Sequence, residues 1–102
     1  MIIYNVTVKI NASLEEEWTK WMKTVHIPDV LKTNLFKEYK LCKVLHDDGD
    51  GGVTFAIQYF CESMDDFQLY QKEHAPALQK EHTERYDGQY VAFRTLMEVV
   101  GA

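Results

Sequence analysis

Apolar and polar residues alternate at the start of the chain, with Ile2, Tyr4, Val6, Val8 and Ile10 on one parity and Asn5, Thr7 and Lys9 on the other. A period of two predicts a strand over residues 2–10 with one face on a core. Ser13 then precedes Glu16 at the spacing of a capping box, and Glu15, Glu16 and Glu17 suit the positive end of a helix dipole. The helix predicted there carries Leu14, Trp18, Trp21, Met22 and Val25 at the three-and-four spacing of one buried stripe. Pro28 disfavours helical geometry at Ile27 but fits the first turn of a new short helix through Leu31, and Asn34 suits a left-handed stop. Residues 37–46 and 53–61 read as strands rich in β-branched and aromatic types, joined through the glycine- and aspartate-rich loop 47–52. Ser63 with Asp66 predicts the cap of a second helix carrying Met64, Phe67, Tyr70 and His74 on one stripe. Pro76 kinks or restarts that helix, the pattern continues through Leu78 and His82 to Tyr86, and Gly88 ends it. Residues 89–100 form a last strand, long against a usual length of about five or six.

Strand, helix, strand, strand, helix, strand is the order of a ferredoxin-like βαββαβ sandwich, an α+β fold with a four-stranded antiparallel sheet and helices on one face. Right-handed crossovers are expected to set the first and third strands side by side at the centre and parallel, with the helices parallel to each other. A related segment occurs in each half, His26-Ile27-Pro28 and His74-Ala75-Pro76. With parallel helices, His26 and His74 should fall at the same end of the molecule, about 10 Å apart.

At 102 residues the chain is one domain, residues 1–102, large enough for a single core. The net charge of −5 is spread along it without a run of Lys or Arg able to neutralise phosphates, which argues against nucleic acid or an anionic membrane surface as partner. No apolar run approaches the roughly 20 residues of a bilayer span, and the first residues lack the pattern of a signal peptide. A cytoplasmic protein is expected. Cys42 and Cys61 lie on the two hairpin strands, offset by about four residues or roughly 13 Å, beyond the ~7 Å reach of a disulfide, so both should be free thiols.

The acidic loop suggests a calcium site until it is set against the EF-hand pattern. With Asp48 and Asp50 at the third and fifth ligand positions, His46 takes the first and Ile57 the twelfth, so no metal site is expected. The helix-free face of the sheet is more informative: Asn5, Thr7 and Lys9 share it with Thr54, Ala56, Gln58 and Phe60, and with Arg94 by its alternation with Phe93 and Thr95. That mixture matches the semi-polar lining of a ligand cavity. Asn5, Thr7, Gln58, Arg94 and His26 are the candidate ligand contacts, and His74 is the catalytic candidate as a proton acceptor near neutral pH. The plainer alternatives are a solvated sheet face and histidines that only pack at kinks.

Tyr4-Asn5-Val6-Thr7-Val8, Trp18-x-x-Trp21-Met22, His26-Ile27-Pro28-x-Val30-Leu31, Gly52-Val53-Thr54-Phe55-x-Ile57-Gln58-Tyr59, His74-Ala75-Pro76-Ala77-Leu78 and Ala92-Phe93-Arg94-Thr95 together resemble an uncharacterised family of small bacterial proteins, a domain of unknown function. The resemblance covers essentially the whole chain. By fold and by its His-x-Pro kinks the chain also resembles the dimeric α/β-barrel superfamily, in which two ferredoxin-like sheets pack face to face around a cavity. That group includes cofactor-free monooxygenases, haem-degrading enzymes, isomerases and members without a known reaction. The expected protein is a homodimeric barrel that binds a small, partly aromatic or polar metabolite, with cofactor-free chemistry open to it; the exposed sheet face and the unpaired edge of the long fourth strand also call for a second copy. A non-catalytic dimerisation or protein-interaction module is the first rival. A haem-binding or haem-degrading protein is the second: Asn5 and His74 match that branch, but Gln58, Tyr59 and Phe60 stand where it carries a Trp on the third strand.

Overall fold

The computed structural model describes residues 1–46 and 49–101. Strand β1 spans Ile2–Asn11, and a 3-10 turn at Ala12–Leu14 leads into helix α1, Glu15–Trp21. A π-helical turn, Met22–His26, then joins α1 to the short helix α2, Ile27–Leu31. There follow β2 (Glu38–Lys43), β3 (Gly52–Cys61), α3 (Met64–Glu73), α4 (Ala75–Tyr86) and β4 (Tyr90–Glu98). The strands make one four-stranded antiparallel sheet in the order β2-β3-β1-β4, the ferredoxin-like α+β sandwich that the element order predicts.

Alternation decides which face is covered. Tyr4, Val8 and Ile10 of β1 and Phe55, Ile57 and Tyr59 of β3 are buried beneath the helices, where Trp18, Ile27, Val30 and Tyr86 meet them. Asn5, Thr7 and Lys9 share the other face with Gln58, Ala56 and Thr54, their partners across the β1–β3 ladder.

The central strands β1 and β3 are antiparallel, not parallel as expected. The crossovers join β1 to β2 and β3 to β4 through helices that return the chain, so the strands of each crossover are parallel, and the β2–β3 hairpin between them leaves β1 opposed to β3. Their helices therefore oppose each other too, and early residues of the first half meet late residues of the second: Trp18 meets His82, and Phe36 meets Tyr70. His26 accordingly lies against His82, with ring centroids 5.8 Å apart, while His74 stacks on Tyr70 of its own helical segment at 6.4 Å.

Local signals fared unevenly. Ser63 caps α3 as predicted, its Oγ accepting from the Asp66 amide at 3.2 Å. Ser13 caps nothing, because residues 12–14 close a 3-10 turn and α1 begins with no side-chain cap. Asn34 has φ of 63° and Gly88 φ of 74°, the left-handed conformations read from their types. The π-turn adds one residue to the helical repeat. Val25, expected on the buried stripe, is exposed in consequence, and His26 and Ile27 turn inward instead.

Cys42 faces Ala56 across the hairpin, one residue from the expected register, and both cysteines are free, Cys42 exposed and Cys61 buried. Asp47 and Asp48 of the acidic loop lie outside the described residues, and Asp50 pairs with Lys9. Among the described residues no group of three or more His, Cys, Asp or Glu side chains converges, and no helix is long and apolar enough to cross a membrane.

Candidate functional site

A cavity of about 40 Å³ lies between the sheet and the helices, on the face opposite to the one expected. Its floor is Tyr4, Val6 and Val8 of β1 with Ile57 and Tyr59 of β3. Met22 and His26 enter from the π-turn, Gln79 and His82 from α4, and Tyr90, Ala92 and Arg94 from β4. Arg94 is exposed while Gln79, Tyr90 and Ala92 are half-buried, so the cavity opens between α4 and the edge strand β4.

The structure divides the predicted site residues. Asn5, Thr7 and Gln58 do come together on the helix-free face, where Asn5 Nδ2 donates to Thr7 Oγ1 at 3.0 Å and Gln58 stands opposite Asn5. Arg94 does not join them: it pairs with Val6 and so faces the helices, while Phe93 and Thr95 take the open side. His26 and Arg94 line the cavity, and His74, the residue between α3 and α4, does not. His82, Gln79, Tyr4 and Tyr70 are cavity residues that the sequence reading passed over. Ala75, His82 and Tyr86 are the buried positions of α4, and their spacing of seven and four was the available signal.

Two histidines sit in this interior as neutral rings. His82 Nε2 accepts a hydrogen bond of 2.9 Å from the Trp18 indole, so its proton is left to Nδ1. Burial lowers its pKa to about 4, helped by the nearby His26 and by Arg94. His26 is likewise lowered to about 4 by burial, against the favourable charge of Asp29 and with Arg94 adding to the fall. Its ring stacks on Trp21 at 5.2 Å between centroids. Its Nδ1 is buried without a hydrogen-bond partner among the described residues. An orphaned buried polar atom costs about 1–3 kcal/mol, and His26 belongs to the cavity wall, so a ligand or water that reaches this nitrogen gains by binding.

The Tyr4 hydroxyl completes the polar wall. Burial raises its pKa, while the charge of Arg94 and hydrogen bonding to Arg94 and Gln79 oppose the rise. Tyr70 is also raised by burial, with Tyr4 adding and Arg94 opposing. None of the lining residues is acidic, and among the described residues no carboxylate pairs with Arg94. Inside an otherwise apolar cleft, then, stand one guanidinium, two neutral imidazoles, an amide and phenolic hydroxyls.

This arrangement does not fit a haem. Asn5 and His74, the residues matching the haem-degrading branch, are separated by the sheet, Asn5 on its open face and His74 in the helical layer beside Tyr70. At about 40 Å³, where one water needs roughly 10–15 Å³, the cavity has room for a few waters or a small polar head but not for a macrocycle.

Comparison with known proteins agrees with the fold. A dimeric ferredoxin-like protein from an uncultured marine organism superposes with a TM-score of 0.71 at 13% identity, covering 100% of this chain and 97% of that one. An antibiotic biosynthesis monooxygenase-type protein from Deinococcus radiodurans gives 0.70 at 14% identity, covering 100% and 95%. The haem-degrader MhuD from Mycobacterium tuberculosis, with two haems bound in its active site, gives 0.67 at 17% identity, covering 100% and 98%. Likeness at such identities is likeness of fold. No curated protein matches the chain. The family profile of a domain of unknown function, DUF4286, matches residues 1–100, and the chain therefore belongs to the DUF4286 family.

Proposed function

We propose that the protein is a homodimer that binds a small, partly aromatic or polar metabolite in the cleft between its sheet and helices, without a cofactor. The observation carrying this reading is the orphaned, buried Nδ1 of His26 in a cavity that Arg94, Gln79 and Tyr4 also line. Buried histidines that only pack usually have their polar atoms satisfied. His26 is the residue placed to accept a proton or a hydrogen bond from the ligand, and His82, held by Trp18, is a positioning residue beside it.

Support for the homodimer comes from the helix-free face. Phe93 and Val91 are 63% and 67% exposed there, too much apolar surface on one sheet face for an isolated domain to leave wet. Two solved neighbours are described as dimeric. On this reading Asn5, Thr7 and Gln58 serve the subunit contact, and His26 and Arg94 serve the ligand. A purely dimerising module is the rival reading.

Native mass spectrometry of freshly purified protein tests the reading, with Ala92→Trp, which fills the cavity from β4, as the control. A small molecule should travel with the wild-type protein and be absent from the dimeric variant. Recovery of the same molecule from Ala92→Trp would place it elsewhere.

A further inference from the structure

We infer that the ligand of this cleft is a monoanion, a carboxylate or an enolate, whose charged head lies on Arg94 and whose other polar atom meets His26. The inference rests on the cleft being the ligand site, and it names the chemical class that site takes. Three features of the cleft converge on it. The lining holds a guanidinium and no carboxylate, so its formal charge is positive and uncompensated. Donors gather in the lining, where Arg94, Gln79 and the Tyr4 hydroxyl can together receive a planar oxyanion through charge-assisted hydrogen bonds. Two neutral rings stand in the same lining, within the field of Arg94, and of their nitrogens His82 Nε2 is engaged by Trp18, while His26 Nδ1 has no hydrogen-bond partner among the described residues.

The cavity is large enough for a carboxylate head and opens at Arg94, so the remainder of the ligand lies in the mouth between α4 and β4, against Tyr90 and Ala92. A neutral ligand would gain nothing from the charge of Arg94, and a cationic one would face it directly. A dianion would find only one guanidinium.

Such a ligand also alters the imidazole beside it. The charged and titratable groups around His26 are Asp29 on its own helical segment, His82 on α4 and Arg94 on β4. Among these, a bound anion neutralises the field of Arg94 and adds a negative charge, so His26 takes up a proton more readily in the complex than in the free protein. Ligand and proton therefore bind together.

The test uses acetate and benzoate against their neutral isosteres acetamide and benzamide, followed by amide chemical shifts and calorimetry on the dimeric protein. The carboxylates should bind at least tenfold more tightly than the amides, and Arg94→Met should abolish that difference while Arg94→Lys keeps part of it. Calorimetry in buffers of different ionisation enthalpy should detect proton uptake with benzoate, lost in His26→Phe. Equal binding of carboxylate and amide at the cavity residues would overturn the anion and leave the cleft as a ligand site. A carboxylate preference that survives Arg94→Met would overturn the assignment to Arg94. Absence of any shift at the cavity residues with all four probes would overturn this inference and the proposed function together.

Discussion

The indole of Trp18 donates to His82 Nε2 at 2.9 Å, joining the first helix to the last across 64 residues of sequence. Both side chains are buried, Trp18 fully, and the bond fixes the imidazole that stands 5.8 Å from His26 in the cavity wall. One tryptophan thus satisfies a core acceptor and sets the orientation of a site residue.

Trp18→Phe should be costly for that reason. It keeps an aromatic ring against Phe55 but strands the buried His82 acceptor, which adds about 1–3 kcal/mol to the packing loss. Urea denaturation should show a lowered midpoint with an unchanged slope. A loss below about 0.5 kcal/mol, the range of indifferent surface changes, would mean that the bond carries no stability.

Stability should fall on acidification through a defined window. His26 and His82 are lowered to about 4 in the folded protein, below the ordinary value of 6.5 that the unfolded chain regains. Between those values the unfolded chain binds more protons, so folding stability is fully present above the unfolded value and is lost as pH falls toward the folded one. The slope is about 1.4 kcal/mol per pH unit for each histidine. Urea midpoints at pH 7 and pH 5 check it, and a His26→Phe, His82→Phe double variant should flatten the dependence. An anion held about 5 Å from His26 would offset roughly 3 kcal/mol at an effective dielectric of about 20, or some two pKa units, returning the pKa of the ring toward its ordinary value.

The serines at the two helix starts should differ. Ser63→Ala removes a cap seen at 3.2 Å and is expected to cost about 1 kcal/mol. Ser13→Ala removes no cap and should be within about 0.5 kcal/mol of wild type by the same denaturation measurement.

Thiol accessibility should separate the cysteines. Native protein should react with DTNB once, at exposed Cys42, and the unfolded, unreduced chain twice, because Cys61 is buried and both are free. A count of zero thiols in the unfolded, unreduced chain would contradict the hairpin register.

The sheet and its core face were legible because β1 and β3 alternate cleanly, and the Ser63 cap because it is a local pattern. The cavity was less so. On β4, Val91 and Phe93 are apolar on one parity and Tyr90, Ala92 and Leu96 on the other, so periodicity could not tell a core face from an interface, and Arg94 went to the wrong side. The π-turn at Met22–His26 leaves no mark in composition, yet it turns His26 inward and Val25 outward. His82 was overlooked beside the paired His-x-Pro segments, although it lies on the buried stripe of α4; the repeat marks two helix breaks, and only His26 of the pair reaches the cavity.

The central claim is that ligand binds on the helix side of the sheet. Side-chain shifts mapped during titration with benzoate test it most directly, since alternate side chains of the same strands lie on opposite faces and report separately. The account predicts shifts at Gln79, His82, Ala92 and Arg94, with Asn5, Thr7, Gln58 and Thr95 unmoved. Shifts confined to Asn5, Thr7, Gln58 and Thr95 would place the ligand on the open face and contradict it.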